Sequence, residues 1–335
     1  MIDPRPPKTL PWLEMTYVRY QFTNIDPRFP EGKELIYHVT SRVAMDQPLL
    51  GEEARDEFLK QMKIGAKFSN IRILAYVIMP NHFHLLLAVP VPPVVALAEK
   101  EFFQRLRPLL TRDALADLRS EWKTASQKKR RALQQPYLDR MHSLAEFMKN
   151  LVQRITRFIN RELGRRGTLW QTRFRSALIE QGLATRAVAA YLHVNPVRAG
   201  LVEAPGEYRW SSFEKTRKAD RALAMQASII ILNKRDPVPT AAVKSLESAL
   251  AEMKVKMNEE ELALAEAVSE TIRHFTDGLM VGSADFIERL FEAHRDQFHR
   301  DRQTGARNPI GPLKKLKGKI QAFRGLQRGI YERKS

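Results

Sequence analysis

The spacing of apolar residues between positions 34 and 90 switches period from one stretch to the next, and each switch marks an element. Glu34-Leu35-Ile36-Tyr37-His38-Val39-Thr40-Ser41-Arg42-Val43 is rich in β-branched and aromatic residues and predicts a strand. From Gly51 to about Phe68, Ala54, Phe58, Met62 and Ala66 recur at four-residue steps, which predicts a helix. Ile71 to Met79 predicts a second strand. Pro80-Asn81 supplies turn chemistry, and His82 to Val89 predicts a third strand that closes a hairpin with the second.

The rhythm then changes. Residues 90–97 are rich in proline and valine and read as a linker, and Glu99 to about Arg140 reads as a charged helical insertion carrying Lys128-Lys129-Arg130-Arg131. His142 to about Leu163 predicts a stronger helix, with Leu144, Phe147, Met148, Leu151, Ile155, Phe158 and Ile159 as its apolar stripe. Its polar face carries a basic ridge that includes Arg154 and Arg157, and Gly164 and Gly167 stop it. Ser176 to Ile179 predicts a short fourth strand. Thr185 to Val194 predicts a further helix ended by Pro196. The order strand, helix, strand, strand, helix, strand, helix predicts an α+β fold: a ferredoxin-like antiparallel sheet with helices packed on one face.

Beyond Phe213 the texture is mainly helical, with Ser228–Leu232 the one strand-like stretch. Glu259 to Phe275 predicts an amphipathic helix, Asp277-Gly278 a turn, and Ser283 the N-cap of a helix from Ala284 to about Phe298. Such a pair is compatible with a helix-turn-helix or with an ordinary helical hairpin. The expected organisation is an arm over 1–33, a domain over 34–213 with an insertion at about 98–140, and a basic helical region over 214–335. No internal repeat is evident.

Composition narrows the chemistry. The chain has 335 residues, 44% of them hydrophobic, which is enough for a substantial core. Lys and Arg number 56 against 38 Asp and Glu, a formal charge of +18, which points to a polyanionic partner such as nucleic acid. The stretch from Arg300 to Ser335, with Lys314 and Lys315, has the composition of a phosphate-binding tail. There is no cysteine, so thiolate metal sites, cysteine nucleophiles and disulfides are excluded. The sequence has no transmembrane-length apolar run and no signal-peptide core at its start, which makes a cytoplasmic location the expectation.

Two stretches carry candidate chemistry. In Met79-Pro80-Asn81-His82-Phe83-His84, the period of a strand puts His82 and His84 on one face and Phe83 on the other. Two imidazoles so placed can share a divalent metal, or can simply be polar-face residues. Tyr191 and Asn195 lie four residues apart, which on a helix brings a phenolic hydroxyl and an amide to one face. Because Asn195 precedes Pro196, it is expected at the helix end, with the shared face only approximate. Tyrosine on an alanine-rich helix is also ordinary packing.

His82-Phe83-His84 after Met79-Pro80-Asn81, followed by Tyr191-Leu192-His193-Val194-Asn195-Pro196-Val197-Arg198-Ala199-Gly200-Leu201-Val202, resembles the HUH single-tyrosine transposases. More narrowly it is similar to the REP-associated tyrosine transposases, relatives of the insertion-sequence-200-like enzymes. Supporting stretches are Tyr37-His38-Val39-Thr40-Ser41-Arg42, Trp170-Gln171-Thr172-Arg173-Phe174 and Tyr208-Arg209-Trp210-Ser211-Ser212. The resemblance covers about 34–213 outside the insertion. It implies Tyr191 as nucleophile, and His82, His84 and Asn195 as holders of Mg²⁺ or Mn²⁺. It implies single-stranded or hairpin DNA as partner, with cleavage through a 5′-phosphotyrosine and a free 3′-hydroxyl. Asn195 stands where relatives with glutamine have a longer reach. Arg42, Arg154, Arg157, Arg173, Arg175, Lys314 and Lys315 are the expected phosphate contacts. Homodimer and monomer both remain open, as do two other functions: a nucleic-acid-binding module that does not cut, and a metal-dependent hydrolase with no covalent step.

Overall fold

Four antiparallel strands form the frame: β1 (Glu34–Arg42), β2 (Arg72–Ile78), β3 (His82–Pro90) and β4 (Arg175–Ile179), in the spatial order β2-β3-β1-β4. This is the split βαβ order expected of a ferredoxin-like sheet, and the fold is α+β. The computed structural model describes residues 34–90, 97–203, 205–213, 280–293, 306–307 and 321–323, all within one compact unit, Gly32–Ser335. β3 lies between β1 and β2, and Leu85, Leu86, Leu87 and Ala88 are all buried. That explains why its sequence is a continuous apolar run after His84 rather than an alternating one.

Helices cover both faces. On one lie α1 (Glu52–Ser69) and α5 (Leu144–Glu162). Phe58 of α1 meets Phe83 at 4.9 Å between ring centroids. Gly65 lets α5 approach closely, since a Cβ there would sit 3.1 Å from the Phe147 ring. α5 starts at Ser143, whose hydroxyl accepts from the Glu146 amide. On the other face α6 (Leu183–Arg198) packs against β2 and β3, so the sheet carries a second helical layer beyond the single one expected.

α6 also runs past the proline predicted to end it, with Pro196 inside its last turn. Pro196 lacks the amide that would bond Leu192, but it is buried and the next amides find partners: Ala199 N bonds Asn195 O and Leu201 N bonds Pro196 O. Packing outweighs the local preference of the residue before proline, and Asn195 is helical. Tyr191 and Asn195 therefore do share a helix face.

The segment 205–213 covers the outer edge of β2. Ile78 N bonds Trp210 O, the Tyr208 hydroxyl donates to Ile78 O, and Val77 forms a bridge with Ser211. Arg55 from α1 lies over Trp210 at 3.5 Å and donates to the Tyr208 hydroxyl. An otherwise open edge is thus closed by the chain's own aromatic stretch.

The charged stretch after the linker folds as α2 (Glu99–Leu106), α3 (Arg112–Thr124) and α4 (Gln127–Leu138). Phe102, Phe103, Leu106 and Trp122 form a small core of their own there, joined by Phe68 from α1. Beyond residue 213 the described residues hold strands the sequence does not predict. β5 (Met280–Gly282) pairs in parallel with β4, α7 (Ala284–Ala293) follows, and β6 (Ala306–Arg307) and β7 (Gln321–Phe323) extend the sheet to seven strands. Runs of two or three residues are too short to show alternation. Ser283 caps α7 as predicted, accepting from the Phe286 amide. The described element before it is the strand β5, and the expected helix and turn upstream, Glu259–Phe275 and Asp277-Gly278, lie outside the described residues. The arm 1–33, the linker at 91–96, Ser228–Leu232, Glu259–Phe275, and Lys314 and Lys315 lie outside the described residues.

Candidate active site

Strand register builds the site. Thr40 lies opposite His84, Arg42 opposite His82, and His38 opposite Leu86; across β1's other edge Thr40 faces Arg175. Directly opposed residues share a face, so His38, Thr40, Arg42, His82, His84 and Arg175 all project from one side of the sheet. Phe83 points the other way, onto Phe58 and Trp170. α6 lies over the histidine face and brings Tyr191 down onto it. The Tyr191 hydroxyl is 3.5 Å from His84 Nε2, with the rings edge to face at 5.4 Å.

His84 is held from its other side as well. Its Nδ1 is 3.0 Å from His38 Nε2, and the two rings stack at 5.2 Å. His82 Nδ1 lies 2.7 Å from Asn81 Oδ1. That amide oxygen can only accept, so His82 carries its proton on Nδ1 and keeps the Nε2 lone pair.

Electrostatics fix the protonation states. Burial, then the charge of Arg42, lowers the His82 pKa to about 4, with Asp46 opposing. Burial, then neighbours His38, His82, Arg42 and Arg198, holds His84 well below its ordinary value. Both imidazoles are neutral at pH 7, the form that can ligate a metal. Burial raises the pKa of Tyr191, while Asn195, Arg198 and Arg42 pull it back. Tyr191 is therefore a protonated phenol that gives up its proton only with help.

Tyr191, Asn195 and Arg198 lie at positions i, i+4 and i+7 of α6, one stripe of the helix. Asn195 is buried and its Nδ2 makes no formed hydrogen bond; the Arg198 Nε is likewise buried without a partner. Two polar atoms beside a tyrosine hydroxyl, each desolvated and unsatisfied, mark a place suited to a ligand.

The structure brings His82, His84, Tyr191 and Asn195 together, with Arg42 and Arg175 on the same face of the sheet. Arg42 is partly exposed and pairs with Asp46 at 2.7 Å. Arg173 is exposed in the loop before β4. Arg154 and Arg157 are exposed on α5, in the layer behind the sheet, and Arg154 donates to Gln61 of α1. They are not part of the histidine face. Sequence reading left out His38, Asn81 and Arg198. His38 has the parity of Arg42 on β1, and Arg198 completes the helical stripe of Tyr191; those were the available signals.

A metal here would rest on few ligands. Among the described residues no group of three or more His, Cys, Asp or Glu side chains is placed to hold an ion. Two neutral imidazoles with Nδ1 already partnered fit a divalent cation through Nε2, and a half-turn of the Asn195 amide would set its acceptor oxygen at the unsatisfied position.

An α+β sheet of split βαβ order with a His-His-Tyr-Asn cluster on one face defines the class of structure. No family model matches the chain, and no curated protein does. Among solved structures it is similar to a REP-associated tyrosine transposase bound to a REP hairpin, at 16% identity and a TM-score of 0.33, over 56% of this chain and 81% of that one. Similarity of that order does not define a family. No helix among the described residues is long and apolar enough to cross a membrane.

Proposed function

We propose that the chain is a metal-dependent single-stranded DNA nuclease and strand transferase of the HUH single-tyrosine kind, a transposase or a domesticated relative. The observation that supports it most is the Tyr191 hydroxyl 3.5 Å from His84 Nε2, on a face that also holds His82. Tyr191 Oη attacks the scissile phosphorus and loses its proton; the bond from phosphorus to the 3′ oxygen breaks, and that oxygen leaves as a 3′-hydroxyl after taking up a proton. A 5′-phosphotyrosine remains, and a 3′-hydroxyl reverses the step without a nucleotide cofactor. Mg²⁺ or Mn²⁺, held by His82 Nε2, His84 Nε2 and the Asn195 amide, would supply Lewis-acid polarisation of a phosphoryl oxygen. Arg42, Arg173 and Arg175 would place the DNA backbone at the exposed rim, and Arg198 would face the charge that develops beside Tyr191.

A second reading, a nucleic-acid-binding module that does not cut, is favoured by the burial of Tyr191, which is only 7% exposed. One assay separates the two. Labelled hairpin-bearing single-stranded DNA is incubated with Mn²⁺ and run on a denaturing protein gel. The expected result is a labelled adduct in the wild type and none in Tyr191→Phe. Cleavage that survives Tyr191→Phe points to hydrolysis without a covalent step. Binding with neither cleavage nor adduct leaves the module reading in place of the enzyme.

A further inference from the structure

His38 is 1% exposed in the middle of β1, and its Nε2 lies 3.0 Å from Nδ1 of a residue 46 positions away, His84. A buried imidazole costs free energy unless its nitrogens are used. The groups around His84 bear on the direction of the bond. Arg198 can only donate, and its charge helps to hold the Tyr191 pKa down against the effect of burial. The ring nitrogen that faces the Tyr191 hydroxyl is His84 Nε2, at 3.5 Å, where it is placed to accept the hydroxyl proton. That distance is long for a formed bond and leaves the pair to tighten when substrate binds. If His84 Nε2 accepts, the His84 proton is on Nδ1, and Nδ1 donates across 3.0 Å to His38 Nε2.

We propose that His38 is a positioning residue: it accepts the Nδ1–H of His84 and so fixes the His84 Nε2 lone pair on the Tyr191 side. Stacking of the two rings at 5.2 Å, 21° from parallel, holds the His84 plane as well as its tautomer. His82 has the same arrangement from a different source, with Asn81 Oδ1 taking its Nδ1–H. Both histidines thus present Nε2 through a neighbour that occupies Nδ1. A partner of this kind tunes a metal-ligating imidazole, and its removal costs about 10- to 100-fold in metal affinity or activity.

The role of the lone pair as a ligand rests on the function proposed above; the tautomer does not, and the test separates them. Nitrogen-15 spectra of histidine-labelled, metal-free full-length protein should show His84 protonated at Nδ1, and the Nε2-protonated form in that spectrum overturns the proposal. Mn²⁺ affinity, read by electron paramagnetic resonance of free Mn²⁺, should fall about tenfold or more in His38→Phe. His38→Gln, whose amide oxygen reaches the Nε2 position, should restore most of it. Equal affinity in wild type and in folded His38→Phe refutes the positioning role while leaving the metal site standing. A wild type with the Nδ1 tautomer that binds no Mn²⁺ refutes the metal reading while leaving the tautomer standing. Should His38→Phe fail to fold, the wild-type spectrum and His38→Gln still decide.

Discussion

At the scale of single residues, the histidines carry opposite lessons about what a sequence shows. His82 and His84 are legible as a pair because a strand has period two, and the register places them as that period requires. His38 is not legible, since its partner is 46 residues away and only the pairing of β1 with β3 brings them together. His193 is a buried histidine of another kind. Its Nε2 lies 2.8 Å from the Ser212 hydroxyl, its Nδ1 has no hydrogen-bond partner, and burial lowers its pKa to about 3. In the unfolded chain a histidine titrates near 6.5. Between those values the unfolded state binds more protons than the folded one, so stability falls as pH drops from about 6.5 towards 3. One such group contributes about 1.4 kcal/mol for each pH unit crossed. His193→Gln keeps a partner for Ser212 and cannot titrate. Urea unfolding measured between pH 6 and 5 should show its stability-against-pH slope smaller than wild type by about one proton. An unchanged slope would mean that His193 is not buried neutral.

At the scale of elements, the sequence shows best what is long and periodic. β1 to β3, α1 and α5 stand within a few residues of their expected limits, because their apolar patterns are long enough to show a strand or a helix. The limit of α6 was misplaced because the proline rule is local, whereas the burial of Pro196 and Asn195 is tertiary. β5 was missed altogether, yet it is fixed firmly: Met280 and Val281 are fully buried, and Glu180 bonds both the amide and the hydroxyl of Ser283. Gly282 makes that junction possible, since a Cβ there would meet the Phe286 ring and lie 2.7 Å from Glu180 Cβ. Gly282→Ala should therefore destabilise by about 1–3 kcal/mol, the cost of overpacking a close contact. Gly65→Ala is the contrast. Its Cβ would press on Phe147 at 3.1 Å, a ring edge that can give, and alanine gains about 1 kcal/mol of helix propensity over glycine. The two effects should nearly cancel, so equilibrium unfolding should separate the two variants clearly. A Gly282→Ala protein as stable as wild type would show that the C-terminal strand is not seated as described.

At the scale of the whole molecule, the charge of +18 and the site point to one partner, but they are not in one place. The histidine face carries Arg42 and Arg175, whereas Arg154 and Arg157 sit on α5 behind the sheet, so a single strand lying on the histidine face cannot touch all four at once. The basic tail is a further candidate source of phosphate contacts in the sequence. Deleting everything after Phe213 would be a poor test of it, because β5 is a buried neighbour of β4 and its loss would strip the sheet. Lys314→Ala with Lys315→Ala tests the tail without that damage. If both lysines contact single-stranded DNA, the slope of log affinity against log salt should shrink by about 0.7 per lysine, or roughly 1.4 in all. Thermal stability measured in parallel shows whether any change in affinity comes from the lost charges rather than from lost folding. Affinity that falls with no change in slope would signal an indirect effect. An unaltered affinity and slope would confine recognition to the histidine face and its arginines, and would leave the tail's charge unconnected to the DNA partner proposed for that face.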